Sequence, residues 1–162
     1  MERMPDISEH HKKFFGPTQD LSRFGGSLIL ADGSPVSFTE ATQRETLAEI
    51  GGGISIKELE IIAVGFHGPC GMARRAGLSI IEMVQVGYAG KLRLKMWLKE
   101  HHPKVEVRPF VHIDYSGGKM KTYFFNKKNW EQFCAEKKIK PYYIDSDNKS
   151  KSGEIERSRL NT

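Results

Sequence analysis

The feature that most limits the fold is the run Ile61 to Gly77, IIAVGFHGPCGMARRAG. Together with the residues before it, it forms ELEIIAVGF, an almost continuous apolar stretch. Such a stretch reads as a central strand covered on both faces. Gly65, Gly68, Pro69 and Gly71 then favour a tight strand-to-helix turn. His67 and Cys70 therefore fall at the carboxyl end of a buried strand, where α/β sheets keep their ligand sites.

The flanking sequence supplies the other elements. SLILA reads as a short buried strand that runs into the turn DGSP. Ser37 and Glu40 have capping-box spacing, so a helix is expected from there to Gly51–Gly53. Ser79 and Glu82 form a second such pair. Ile81, Val84, Tyr88, Leu92 and Met96 recur behind it at helical spacing, with a bend expected near Gly87 and Gly90 and a stop before Pro103. VEVRPFVHIDY alternates like a strand, SGG turns, and MKTYFF is the expected hairpin partner or a following edge strand. Asn126 can cap a last helix with Trp130, Phe133 and Cys134 on one face, and PYYI is read as a last extended contact.

This order predicts an α/β protein of three layers, with a mainly parallel central sheet flanked by helices. At 162 residues the chain can bury a core in one domain without a metal or disulfide staple. The division reads as an N-terminal arm over 1–26, an α/β domain over 27–144 and a mobile polar tail over 145–162. In the arm, Phe14, Phe15 and Phe24 are expected to cover a neighbouring surface.

The net charge of +5 gathers in KLRLKMWLKEHHPK and NKKNWEQFCAEKKIK. Both read as solvated helix faces. No zinc-finger spacing or nucleic-acid signature accompanies them, so nucleic acid is not an expected partner. No run approaches a membrane span, and MERMPDISEHHKKFF has no apolar signal-peptide core. With two well-separated cysteines, the expected location is a reducing cytoplasm without membrane contact.

His-x-x-Cys lets an imidazole and a thiolate converge on one ion, a pairing that zinc accepts, although a stable zinc site takes three or four ligands. VGFHGPCGMA, followed by a capped helix and VEVRPFVHIDYSGG, resembles the β-class carbonic anhydrases over about Leu59 to Tyr123. The resemblance implies a zinc held by His67 and Cys70, and a fold that pairs into homodimers or larger homo-oligomers. It also implies an earlier Cys-x-Asp-x-Arg segment. LILADGS is the best candidate for that segment and places Asp32 on the family's Asp. Leu30 then stands at the third zinc ligand and Ser34 at the arginine. The implied protein is a degenerate member, a pseudoenzyme expected to lack carbonic anhydrase activity. Asp32 is left as a candidate catalytic residue or replacement ligand beside His67 and Cys70.

Other readings of the same residues stay open. Arg74 and Arg75 can hold a small anion near the loop. Cys70, at a strand-to-helix turn, can act as a sulfurtransferase-like nucleophile. The cysteine-phosphatase spacing fails, because its arginine would fall at Ala76. A non-catalytic interaction protein would use the basic helices against an acidic partner. His112 and Cys134 read as structural, and His10, His11, His101 and His102 as solvated surface.

Overall fold

The computed structural model describes Leu21 and residues 25–36, 39–115 and 119–139. The elements are a 3-10 helix Gly26–Leu30, α1 Glu40–Lys57, β1 Ile61–Gly68, α2 Gly71–Arg75, α3 Ile80–His101, β2 Glu106–Asp114, β3 Met120–Phe124 and α4 Lys127–Lys137. Phe14, Phe15, Phe24, Ser37, the SGG turn, PYYI and the 145–162 tail lie outside the described residues.

The chain is α/β with a small mixed sheet ordered β1-β2-β3. β1 and β2 run parallel, and β2 and β3 form the expected antiparallel hairpin. The parallel pair needs a crossover, which α2 and α3 provide. The other pairing is antiparallel, so the described sheet is mixed, with one parallel and one antiparallel pair of strands. The central strand is β2. β1 lies at the edge of the described sheet, where it buries Val64, Phe66 and Gly68 and leaves Ile61 45% exposed. A continuous apolar run marks burial without fixing the order of strands.

SLILA is the clearest departure from expectation. It forms the 3-10 helix, with Leu28 N–H donating to the Gly25 carbonyl at 3.1 Å. Ser27, Leu28, Ile29 and Leu30 are all at most 4% exposed. A short segment that is apolar all round has no period, so a strand and a buried helical turn look alike in sequence.

α1 also differs. Its cap is Thr39, whose side chain accepts from the Thr42 N–H at 3.2 Å. The helix runs straight through Gly51–Gly53 and ends at Glu58 in the left-handed region. Helix glycines cost stability, but Leu47 and Ile54 are buried in the core on either side of the triplet and hold the turn between them. Tertiary packing outweighs local propensity here.

α3 begins at the expected capping box. Ser79 Oγ accepts from the Glu82 N–H at 3.3 Å, and Glu82 Oε2 accepts from the Ser79 N–H at 2.7 Å. The helix is a single 22-residue element through Gly87 and Gly90. Those glycines mark close approach. A Cβ on Gly87 would strike the Phe66 ring of β1, and one on Gly90 would strike the Ser27 carbonyl of the 3-10 helix. The stripe read from sequence holds only Tyr88 fully buried, while Ile81 is 36% exposed. The main buried face is Met83, Val86, Gly87, Gly90, Leu94 and Leu98. Glycines carry no hydrophobic signal, so this face is muted in the sequence.

The main core joins that face to Leu28, Ile29, Leu30, Val64, Phe66 and Val111. Tyr88 lies in a second cluster with Trp130 and Cys134 of α4. As expected, α4 is capped by Asn126, whose Oδ1 accepts from the Asn129 N–H at 3.0 Å.

Candidate functional site at the end of β1

His67 is the penultimate residue of β1, and Cys70 is the N-cap of α2. His67 Nδ1 lies 3.1 Å from the Pro69 carbonyl oxygen. A carbonyl can only accept, so Nδ1 carries the hydrogen and Nε2 is the lone-pair nitrogen of the neutral ring. Holding one ring nitrogen on a carbonyl is how proteins aim the other at a ligand. Cys70 is a free thiol, 3% exposed and packed into the main core; its side chain makes no capping bond.

The strand register sets a polar row beside this loop. His67 pairs with His112, and His112 with Thr122, so the three side chains share one sheet face. His112 is 2% exposed, 2.8 Å from the Thr122 hydroxyl through Nδ1, and its ring centroid is 4.8 Å from that of Phe110. This is the structural setting that the alternation of FVHIDY implied.

Asp32 is in different company. Gln43 Nε2 donates to Asp32 Oδ1 at 2.9 Å and to the Leu30 carbonyl at 2.6 Å. Arg93 Nε lies 3.3 Å from the same carboxylate oxygen. That contact is an ion pair by distance, but Arg93 Nε makes no aligned hydrogen bond. The two side chains are 32% and 41% exposed. Leu30 is buried apolar core at 2% exposure, and Ser34 Oγ accepts from the Val36 N–H at 3.3 Å. Asp32 thus faces a guanidinium from α3, through a contact that spacing along the chain does not reveal.

The loop and Asp32 lie at different stations along α3. Ile80, at its start, abuts Gly68. Arg93 is about 20 Å further along the axis at ~1.5 Å per residue. Among the described residues, no group of three or more His, Cys, Asp or Glu side chains is placed to hold a metal ion.

Arg74 and Arg75 stand exposed in the last turn of α2, without an ion pair among the described residues. His101 stacks on Trp97 at 4.3 Å, and its Nδ1 lies 2.8 Å from the Trp97 carbonyl. A shallow cavity of about 290 Å³ lies beside it, lined by His101, His102, Pro103, Lys104 and Val105. His101 is exposed as expected, yet it packs on the helix end. Cys134 is 1% exposed, and burial pushes its thiol pKa up. Among the described residues no helix is long and apolar enough to cross a membrane. No protein-family model, curated protein or solved structure matches this chain.

Proposed function

We propose that this chain is a degenerate β-carbonic anhydrase-like protein that does not hydrate carbon dioxide and keeps its His-x-x-Cys loop for a small anion. The reading includes the three-layer arrangement and the homodimer that the resemblance implies. The observation that carries it is the contrast around Asp32. The carboxylate is engaged by Gln43 and Arg93, and Leu30 stands where a thiolate would be needed.

His67 Nε2 and Cys70 Sγ are suitable ligands, but a catalytic zinc centre takes three protein donors and an open position. The described residues gather no such set. No hydration step follows from this geometry. A small anion near the loop has the charges of Arg74 and Arg75 to draw on, which make no ion pair among the described residues. Burial of Cys70 at 3% exposure favours this over thiol transfer, which needs a sulfur that can reach donor and acceptor.

The test is metal analysis on protein purified without chelator, followed by stopped-flow hydration assays with added zinc. The expected result is well under one zinc per chain and a hydration rate equal to buffer. Near-stoichiometric zinc that is lost in His67→Ala, or hydration above buffer, overturns the reading.

A further inference from the structure

The sheet has two faces, and the described helices account for burial on only one. Val64 and Phe66 of β1 and Val111 of β2 turn into the main core with α1, α3 and the 3-10 helix. Alternation puts their strand neighbours on the opposite face. There the register lines up two rows, Gly65–Phe110–Phe124 and His67–His112–Thr122. A Cβ on Gly65 would strike the Phe110 ring, so that ring lies across β1 on this second face. Phe110 is 6% exposed, and among the described buried apolar side chains it alone lies outside both core clusters. His112 is buried more deeply still.

Burial falls away around that pair. Arg108 and Asp114, on the same face of β2, are exposed, and Phe124 on β3 is 44% exposed. A face left to water would open the central strand along its length. A cover confined to Phe110 and His112 is therefore a narrow apolar piece of chain laid across the sheet. The chain before Gly25 carries Phe14, Phe15 and Phe24, and the chain after Ile139 carries Tyr142 and Tyr143. All five rings lie outside the described residues.

Their points of attachment separate the two segments. A Cβ on Gly26 would strike the Gly65 carbonyl, so the N-terminal segment joins the fold beside the row that holds Phe110. Ile139 packs instead against the α3–α4 cluster of Tyr88, Trp130 and Cys134. Strands lie about 4.8 Å apart, and an extended chain covers ~3.3 Å per residue, so Phe14 and Phe15 have ample reach from Gly25 to β2. A short tether also gives a high effective concentration, which favours docking within one chain. We propose that the N-terminal segment folds over this face of its own chain, with the Phe14–Phe15 pair seated on Phe110 and closing off His112. His67 shares the row with His112, so the segment borders the β1 loop, but its docking rests on no ligand there.

The test is diethyl pyrocarbonate labelling of the full chain, read for each histidine by peptide mass spectrometry, with exposed His101 as the internal standard. His112 should label much more slowly than His101. Phe14→Ser combined with Phe15→Ser should speed His112 labelling by about tenfold and leave His101 unchanged. Tyr142→Ser combined with Tyr143→Ser should change neither. Unaltered His112 labelling in the first variant overturns the proposal, and a rise in the second at least as large as in the first gives the face to the C-terminal segment. A second measurement keeps an aromatic ring in the arm. With benzoylphenylalanine in place of Phe14, irradiation should cross-link the arm, at monomer mass, to the peptide that holds β2 and β3. Cross-links only at dimer mass give the face to a second copy's arm, and cross-links only to other peptides take the arm off the face; either result overturns the proposal.

Discussion

The end of β1 and the corner at Asp32 hold the residues singled out in the sequence, and the chain treats them differently. At the end of β1, His67 is held by a neighbouring carbonyl with its second nitrogen left over, an arrangement suited to a ligand. At the corner, the carboxylate is met by Gln43 and Arg93, and Leu30 nearby is buried core. One region holds its polar side chain through its own loop, and the other holds it through tertiary contacts. The comparison teaches that a short motif can hold a side chain by its own turn geometry, while a carboxylate on another segment is fixed by partners that only tertiary packing brings near.

The most forceful way to break the corner is to unseat the 3-10 helix from α3. Gly90→Ala drives a methyl group into the Ser27 carbonyl, a backbone atom that cannot swing aside. We expect a loss of about 3 kcal/mol, at the upper end for overpacking, read by urea denaturation. Gly87→Ala meets only the Phe66 ring. It should cost less, about 1–2 kcal/mol, because a side chain can yield. Equal losses would mean that the two contacts are equally adaptable and that the corner is not the rigid one.

Much of this organisation was legible in the sequence, for physical reasons that can be named. The Ser79–Glu82 and Asn126 caps are local hydrogen-bond patterns, so their spacing alone located α3 and α4. The β2–β3 hairpin announced itself through alternation around a glycine turn. Position in the sheet did not, and β1 proved to be at the edge of the described strands. SLILA was ambiguous because it lacks a period. The placement of His67 and Cys70 at the strand-to-helix turn followed from local sequence, but the Arg93 and Gln43 partners of Asp32 depend on tertiary approach.

A smaller effect sharpens the loop region, whose crossover helix starts at Ser79. Ser79→Ala removes the hydroxyl that accepts from the Glu82 N–H and should cost about 1 kcal/mol at neutral pH. The Ser79 hydroxyl, and then its backbone N–H, hold the Glu82 carboxyl below its usual range. A depressed carboxylate contributes stability that is fully present above the ordinary glutamate pKa of about 4.3. That contribution is lost as pH falls through the lower folded-state value. Stability measured from pH 7 down to pH 2 should therefore show a shallower acid loss in Ser79→Ala. An identical acid profile in the two proteins would remove Glu82 from the account.

The smallest expected effect is the most informative about the corner. Asp32→Asn keeps an acceptor for Gln43 and removes the charge facing Arg93. Both side chains are about a third or more exposed, and pairs of this kind are worth roughly 0–1 kcal/mol and weaken with salt. The substitution should therefore barely move the denaturation midpoint, and any loss should shrink at high ionic strength. It should also leave anion binding at the β1 loop unchanged, because Arg93 stands about 20 Å along α3 from the end that abuts Gly68, at ~1.5 Å per residue. A loss of loop binding in Asp32→Asn, at unchanged stability, would join the two regions and place Asp32 in the site.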